Sequence, residues 1–374
     1  MTKPSRKRSR PTQLDIARLA GVSQATVSMV INGGASAQLI KESTREAVVA
    51  AAAELKYTVN PAARSLRGGR NHLLGLYTFE NVFPTDDRDF YYPFLLGVEE
   101  ECAERGYDLL LFTSAGRGER SLADDRLQRM RMADGCVMLG RHVRTDDLEQ
   151  LAAEHFPFVF IGRRQAPGTT IPFVAPDYVQ ATTELIGHLV GLGHRRMVYL
   201  RQPEDSEPTT DRLNGLHHAI EEYGLDPDEI RIETLASSAE LTEQRVRDWV
   251  ADGATALLIE PSEDHTLVAA LDALTEGSSL AVPGDVSIAL LGEPPSWEPS
   301  HLDWTRFALP REEIARRAVQ TLIAMLDDAE PRQTFVPCTL VVGDSCAPPG
   351  PSTGSGRGGS GRGSRRGKKA EGAP

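Results

Sequence analysis

Polar side chains in residues 12–32 have a spacing that could bring them to the edges of DNA bases. Thr12 and Asp15, three residues apart, predict a capping box at the start of a first helix. Gly21 predicts the end of that helix, because glycine adopts the left-handed conformation at little cost. Ser23 predicts the N-cap of a second helix. Two short helices joined by a tight turn form a helix-turn-helix, whose second helix enters the major groove of DNA.

The apolar residues of this segment predict how the two helices pack. The first helix carries one apolar stripe, formed by Ile16, Leu19 and Ala20. The second helix packs against that stripe through Val27, Val30 and Ile31. Its opposite face presents Gln24, Ala25, Ser28 and Met29. The pattern alone leaves a second interpretation open, namely two ordinary packed helices with a solvated polar face.

The distribution of charge separates the ends of the chain from its middle. The 374 residues carry a formal net charge of -12. Residues 1–70 nevertheless carry a charge of +8 and residues 348–374 a charge of +5, which leaves -25 for residues 71–347. Attraction to phosphate depends on the local patch and not on the total. The acidic total therefore does not exclude a nucleic-acid partner, and the charge favours the N-terminal segment as its contact.

From residue 73 to about 345, short apolar runs alternate with amphipathic segments of helical length. Strands are predicted at Leu73–Phe79, Leu109–Thr113, Cys136–Leu139, Phe158–Ile161, Met197–Leu200, Ile230–Leu235, Ala256–Ile259 and Val286–Leu291. Strands that alternate with helices are typical of parallel sheets covered on both faces. These strands could form one large sheet, a barrel or two smaller doubly wound lobes, and the pattern does not decide between them.

Other sequence features argue against several classes of protein. The cysteines Cys102, Cys136, Cys338 and Cys346 lack metal-ligand spacing, which indicates reduced thiols. No uncharged apolar run approaches the ~18–20 residues of a membrane helix, and no signal-peptide core follows the basic N-terminus. We expect a cytoplasmic protein, associated with the nucleoid when bound to DNA. The body contains no phosphate loop, metal cluster or placed nucleophile, so we expect neither an enzyme nor a bound metal or cofactor.

The N-terminal residues also resemble a known family. The pattern T-x-x-D-I-A-x-x-A-G-V-S-x-x-T-V-S-x-V-I-N at Thr12–Asn32, followed by Thr44–Glu46 and Leu55–Leu66, strongly resembles the headpiece of the lactose/galactose repressor (LacI/GalR) family. Weaker matches continue through the body, at Gly97–Glu100, Leu192–Met197, Arg212–Gly215 and Val282–Ile288. The resemblance covers residues 12–346.

This resemblance implies a fold and a function. Family members join an all-α helix-turn-helix headpiece to an α/β core of two doubly wound, periplasmic-binding-protein-like lobes. The lobes close on a small effector, and dimers bind a pseudo-palindromic DNA operator. We therefore expect a transcriptional regulator, acting as a repressor, whose partners are double-stranded DNA, a second copy of the chain and a small molecule such as a sugar.

The same resemblance sets the expected domain boundaries. A basic disordered arm spans 1–10, the headpiece 11–58, the hinge helix and linker 59–71, the core 72–347 and a disordered basic Gly/Ser/Arg tail 348–374. Within the core, the N-terminal lobe is expected at about 72–174 and 303–328, and the C-terminal lobe at about 175–302 and 329–347.

For DNA, the resemblance implies roles for residues of the helix-turn-helix and of the hinge. Base-reading positions are occupied by Gln24, Ala25 and Met29. Positions that contact phosphates or support the recognition helix are occupied by Thr12, Ser23, Thr26, Ser28 and Asn32. The hinge contributes Asn60, Ala63 and Arg64, and Leu66 stands where a side chain wedges into a central minor-groove step.

For the effector, the resemblance implies a cleft between the lobes. Arg212 matches a position that binds sugar hydroxyls or carboxylates through its planar fork. Phe90 and Tyr91 match an aromatic pair that stacks on the ligand, although a core role is an equal alternative. Arg163 is a further candidate for the cleft.

Two departures from the family pattern affect the effector. Glu263 and Asp264 stand where an Asn-Asp pair is usual, and Gly292-Glu293 stands where G-F-D is usual, so Glu293 could replace the absent aspartate. A regulator with a degenerate cleft and no small-molecule effector is therefore an alternative. A sugar-binding protein of the transport type is another, and the headpiece argues against it.

Overall fold

A computed structural model of the protein describes residues 11–32, 39–57, 70–79, 88–113, 128–140, 143–203, 205–261, 266–277, 279–294 and 300–350. The chain forms two compact units, Met1–Leu73 with Asp124–Asp134, and Leu74–Ala123 with Gly135–Pro374. The expected arm at 1–10, hinge residues 58–69 and tail residues 351–374 lie outside the described residues.

The described part of the first unit contains three helices around a small core. They are α1 (Gln13–Ala20), α2 (Gln24–Asn32) and α3 (Glu42–Glu54). Their buried contacts are made by Ile16, Ala17, Val27, Val48 and Ala51. The prediction for Leu19 was wrong, because this side chain is 47% exposed and Ala17 lies in the core instead. An ideal helix turns 100° per residue, so Leu19 lies about 200° around the helix from Ala17 and turns outward when Ala17 faces the core.

The second unit is built from mostly parallel strands that alternate with helices. Its strands are β1 (Leu73–Thr78), β2 (Asp108–Thr113), β3 (Gly135–Leu139), β4 (Phe158–Ile161), β5 (Phe173–Pro176), β6 (Met197–Arg201), β7 (Ile230–Thr234), β8 (Ala256–Ile259), β9 (Ser287–Leu290), β10 (Thr305–Ala308), β11 (Gln333–Val336) and β12 (Thr339–Val341). Its helices are α4 (Arg88–Glu104), α5 (Thr145–Ala153), α6 (Tyr178–Leu192), α7 (Glu207–Tyr223), α8 (Glu243–Ala251), α9 (Thr266–Gly277) and α10 (Arg311–Leu326).

The described strands form two six-stranded sheets, and this settles the alternative left open by the sequence. The first sheet has the order β11-β5-β4-β3-β1-β2 and the second β12-β10-β9-β8-β6-β7. Among the described strand pairings, β12 alone runs antiparallel to its neighbour, β10. In each sheet the chain starts near one edge, reverses once and then winds the other way. The result is two doubly wound lobes, as predicted.

The chain crosses between the lobes later than expected. Residues 305–308 pair with β9 in the second sheet, although 303–328 was assigned to the first lobe. Residues 333–336 pair with β5 in the first sheet, although 329–347 was assigned to the second. The correction has a physical reason, since β10 pairs with β9 before the chain leaves the second lobe and β11 pairs with β5 before it leaves the first.

Close helix packing supports each lobe. Gly97 of α4 faces α10, and a Cβ atom added at Gly97 would lie 2.4 Å from the carbonyl oxygen of Glu312. Gly215 of α7 faces α6 in the same way, 2.6 Å from the carbonyl oxygen of Val179. At both positions only glycine permits the observed separation of the helices, so each lobe depends on one residue without a side chain.

The four cysteines are free thiols, as predicted. Burial raises the pKa of the Cys102 and Cys338 thiols to about 12. Among the described residues, no single helix has the length and hydropathy to cross a membrane. The helices α1 and α2 meet such a test only as a pair, bent by 107° at their turn.

Candidate nucleic-acid interface and interlobe cleft

The predicted capping box orients the start of α1. Thr12 Oγ1 donates to Asp15 Oδ2 at 2.7 Å, and the backbone N–H of Thr12 donates to the same oxygen at 2.9 Å. These hydrogen bonds from Thr12 hold the pKa of Asp15 below its usual range. Gly21 ends the helix in the left-handed conformation, with φ at 65°. Each feature was predicted from the residue types, and together they fix the turn.

The second helix of the pair begins at the predicted cap. Ser23 Oγ accepts from the backbone N–H of Thr26 at 3.1 Å, and its hydroxyl lies 2.9 Å from Thr26 Oγ1. The angle of 107° between α1 and α2 lies within the range of helix-turn-helix pairs. Val27 is fully buried between the helices, so the rotation of α2 about its own axis is fixed.

The residues assigned to base reading lie on the outer face of α2. Gln24, Ala25 and Met29 are exposed, whereas Ser28 and Thr26 are half-buried. Thr12 and Ser23 are exposed at the starts of α1 and α2, where hydroxyls can reach phosphate oxygens. Asn32 ends α2. The hinge residues Asn60, Ala63, Arg64 and Leu66 lie outside the described residues, so their roles remain predictions.

This face has the chemistry to distinguish base pairs. The amide of Gln24 can donate to and accept from the major-groove edge of adenine. Ala25 and Met29 offer apolar contact, which suits the methyl group of thymine. The face carries no charged side chain among these residues, so its readout depends on a few hydrogen bonds and on shape.

A cavity of about 470 Å³ lies between the two lobes. It is lined by residues that follow the carboxyl ends of strands in both sheets, including Gly140 after β3, Gly162 after β4, Glu260 after β8 and Gly292 after β9. In doubly wound folds, ligands bind outside these strand ends because the loops diverge there. The fold therefore brings both sets of loops to one cleft.

The sequence-predicted effector residues meet in this cleft. Phe90, Tyr91, Arg163, Arg212 and Glu293 all line the cavity. They are distant in sequence, and the two lobes bring them together. Asp264 lies outside the described residues. Phe90 and Tyr91 both line the cavity and belong to the packing of the first lobe, so the two interpretations of this pair are compatible.

Arg212 is buried, not a surface residue of its helix. Its Nε donates to the carbonyl oxygen of Leu291 at 2.8 Å, and one terminal nitrogen lies 3.4 Å from Glu260 Oε1. Its guanidinium stacks over the Tyr178 ring at 4.3 Å. Burial alone lowers the pKa of Arg212, but Tyr178 and Glu260 outweigh burial and raise it. A permanent positive charge is thus held at the floor of the cleft.

Glu260 was not predicted, yet it is the acceptor at the centre of a buried network. Tyr199 donates its hydroxyl to Glu260 Oε2 at 2.7 Å, and Thr209 donates to Oε1. Burial, reinforced by the Glu260 charge, raises the pKa of Tyr199 above its usual range. One signal could have indicated this residue, since Glu260 is an acid directly after the apolar strand β8. These contacts engage both carboxyl oxygens of Glu260.

Two arginines of the first lobe reach the second. Arg163 Nε donates to Asp211 Oδ2 at 2.9 Å, and a terminal nitrogen donates to the carbonyl oxygen of Glu207 at 3.3 Å. Arg164 lies 3.3 Å from Glu207 Oε2 and donates to the carbonyl oxygen of Gly140. Burial raises the pKa of Asp211 more than Arg163 lowers it. Asp211, Glu207 and Arg164 were missed because neither residue type nor local spacing marks them.

At another part of the cleft, Glu293 pairs with Arg311. The guanidinium of Arg311 also lies 5.1 Å from the centre of the Phe90 ring. Glu293 was predicted as a replacement for a missing aspartate, and here its carboxylate is occupied by an arginine of the first lobe. The described cleft thus holds four arginines, each beside a carboxylate, together with aromatic rings.

The chain is similar in sequence to known bacterial regulators. Residues 12–60 match the lacI family of bacterial regulatory proteins, and residues 186–346 match a periplasmic binding protein-like domain. The HTH-type transcriptional regulator CelR of Thermobifida fusca is 29% identical over 347 residues, covering 91% of this chain and 99% of the relative. The ribose operon repressor of Escherichia coli (strain K12) is 28% identical over 337 residues, covering 83% and 92%.

Solved structures give the same fold. A transcriptional regulator CelR–cellobiose complex is 28% identical, with a TM-score of 0.56 over 90% of this chain and 100% of the other. The lac repressor dimer bound to operator and the anti-inducer ONPF is 23% identical, with a TM-score of 0.64 over 91% and 100%. Both matches cover nearly the whole of this chain, so the fold is shared along most of its length.

Proposed function

We propose that this chain, which matches the lacI family of bacterial regulatory proteins over residues 12–60, is a transcriptional repressor. In this proposal it binds a pseudo-palindromic operator as a homodimer and responds to a small ligand in the interlobe cleft. The observation that carries the DNA-binding part is the exposed face of α2. Gln24, Ala25 and Met29 lie on this face while Val27 anchors the helix from behind. A dimer would present two such helices to two half-sites.

We assign the hinge residues to the same interface. Asn60, Ala63 and Arg64 would contact the DNA backbone, and Leu66 would enter a minor-groove step at the centre of the operator. The proposal rests on the sequence of residues 60–66 and on its resemblance to the family hinge. A wedge of this kind acts by deforming the duplex.

The cleft favours an uncharged ligand that is rich in hydroxyl groups. Because each of the four arginines lies beside a carboxylate, a further negative charge has little to gain there. Paired charges still offer donors and acceptors, and Phe90 and Tyr91 offer aromatic faces. A sugar meets both requirements. The structure of a CelR–cellobiose complex, a relative of this chain, supports the same class of ligand.

The ligand is tested by thermal unfolding of the full chain with cellobiose, maltose, sucrose or ribose. We expect one of these sugars to raise the melting temperature, and Arg212→Ala to abolish that rise. Arg317→Ala is the control, because Arg317 is an exposed residue of α10 that pairs with Glu313 outside the cleft. If no sugar raises the melting temperature, the cleft does not bind this class of ligand.

The DNA-binding face is tested on a duplex enriched from random DNA. Met29→Ala removes an exposed apolar contact from α2, so we expect the affinity to fall about tenfold, the effect of ~1.4 kcal/mol. Val49→Ala is the matched control, since Val49 is an exposed apolar residue of α3. Fluorescence anisotropy measures both variants. Equal losses would show that α2 has no special role in the contact.

A further inference from the structure

Contacts between charged side chains join the two lobes at the cleft. Arg163 and Arg164 follow β4 of the first lobe, and Glu207 and Asp211 lie in the first turns of α7 in the second lobe. Arg163 Nε lies 2.9 Å from Asp211 Oδ2, and Arg164 lies 3.3 Å from Glu207 Oε2. The lobes are therefore bridged by two adjacent ion pairs.

Further contacts hold the two arginine side chains in place. Arg164 donates to the carbonyl oxygen of Gly140 in its own lobe and stacks over Phe160 at 4.6 Å. Arg163 reaches the carbonyl oxygen of Glu207 in addition to Asp211. Such anchoring reduces the side-chain entropy lost when the pair forms, which is the term that makes exposed pairs weak.

Burial makes the Arg163–Asp211 pair sensitive to the loss of either partner. The Arg163 side chain is 13% exposed and that of Asp211 is 8% exposed, so water and salt screen the pair little. Removal of one partner would leave the other charge buried without compensation, which is strongly unfavourable. Opening of the cleft, by contrast, would hydrate both charges together.

A second bridge lies elsewhere on the cleft. Arg311 begins α10, which packs in the first lobe, and its guanidinium pairs with Glu293 after β9 of the second lobe. The Arg311 and Glu293 side chains are 16% and 20% exposed. Two separate bridges restrict rotation of one lobe against the other more than a single bridge can.

We propose that Arg163–Asp211, assisted by Arg164–Glu207 and Arg311–Glu293, forms an ionic clasp that joins the two lobes and opposes opening of the cleft. The link between the clasp and ligand response rests on the proposed function, whereas the ion pairs of the clasp involve only residues of this chain. A ligand that enters the cleft exchanges its own hydrogen bonds for those of the clasp. Ligand binding then changes which contacts join the lobes.

The clasp also limits the chemistry of the ligand. A ligand that separates Arg163 from Asp211 must accept a hydrogen bond from the guanidinium and donate one to the carboxylate. A hydroxyl group does both, whereas a carboxylate group only accepts. Asp211 and Glu207 are thus positioning residues that set the orientation of Arg163 and Arg164 in the cleft.

The clasp is tested by the distance between the lobes in the full chain without ligand or DNA. Nitroxide labels are attached through azide-bearing residues introduced at the exposed positions Thr145 in the first lobe and Glu222 in the second. We expect one narrow distance distribution for the unmodified clasp. For Asp211→Asn, we expect a longer and broader distribution, with the open population rising about tenfold.

Arg163→Gln changes the other partner and must give the same result, so the test does not depend on one variant folding. Melting temperatures establish that each labelled variant is folded. Glu313→Gln, which breaks the exposed Arg317–Glu313 pair within one lobe, serves as the control and should leave the distribution unchanged. Distributions that stay identical for both clasp variants would overturn the proposal. A failure of every sugar to bind would leave this result unaffected, so the two proposals fail separately.

Discussion

His194 shows how one buried residue makes the stability of the core depend on pH. It lies beside the start of the second sheet, with Nε2 at 3.0 Å from the Ala347 carbonyl oxygen and Nδ1 at 2.8 Å from Thr255 Oγ1. A neutral ring satisfies both contacts by donating to the carbonyl and accepting from the hydroxyl. Burial lowers the pKa of His194 below its ordinary value of 6.5, and His188 adds to this effect.

This lowered pKa predicts a loss of stability in mild acid. His194 binds a proton more tightly in the unfolded chain than in the folded chain. The free energy of unfolding is therefore independent of this group above pH 6.5 and falls as the pH drops below that value. Urea unfolding at several pH values should show this slope, and His194→Gln should reduce it. The exposed His217→Gln serves as the control. An unchanged slope in His194→Gln would exclude this histidine as the cause.

At the scale of single residues, the sequence predicted the local features and missed the paired ones. The roles of Thr12, Gly21 and Ser23 follow from contacts within a few residues, so their types and spacing were sufficient. Glu260 contacts Tyr199 and Thr209 over 61 and 51 residues of sequence. No local pattern encodes such pairs, because only the folded lobes bring the partners together.

The contact between α4 and α10 shows how a helix pair depends on a missing side chain. A Cβ atom at position 97 would lie 2.4 Å from the Glu312 carbonyl oxygen and 2.9 Å from the Ala315 Cβ atom. Gly97→Ala must push the helices apart, so we expect the free energy of unfolding to fall by about 1–3 kcal/mol. Urea denaturation measures the change.

Gly191→Ala is the matched control for this prediction. Gly191 also lies in a helix, α6, but a Cβ atom there has no neighbour within 4 Å. This variant should lose no stability, since alanine favours a helix over glycine by roughly 0.5–1 kcal/mol. Equal losses in both variants would show that the close approach of α4 to α10 is not responsible.

The hinge carries a prediction of its own. If Leu66 wedges into the operator, Leu66→Ala should weaken binding to the selected duplex much more than binding to unrelated DNA, because the wedge acts through a deformation that depends on sequence. Anisotropy titrations at one salt concentration measure both affinities. Equal losses on both kinds of DNA would contradict the wedge.

At the scale of elements, the eight predicted strands were confirmed, with their ends moved by at most one residue. Four strands were not predicted, namely β5, β10, β11 and β12. Each is only three or four residues long. The edge strands β11 and β12 also expose much of their surface, so they lack the continuous apolar run that marks a buried parallel strand. Their absence from the prediction explains why the lobe boundaries were misplaced.

At the scale of the whole molecule, the N-terminal segment and the core carry net charges of opposite sign. The N-terminal 70 residues carry a charge of +8, and residues 71–347 carry -25. Phosphate attracts the first and repels the second, so we expect the headpiece to be the part of the chain that contacts DNA. The clasp lies in the acidic core, where its arginines pair with carboxylates of the facing lobe.

If α2 reads DNA sequence, the base preference of the protein must depend on its exposed side chains. Selection from random duplex DNA measures this preference. The full chain and its Gln24→Ala variant are selected in parallel under one salt condition. We predict that the unmodified chain enriches an inverted repeat, and that Gln24→Ala relaxes the preference at one base pair of each half-site by about 1–3 kcal/mol. If no common sequence is enriched, or if both proteins enrich the same sequence to the same degree, then α2 does not read DNA sequence through Gln24.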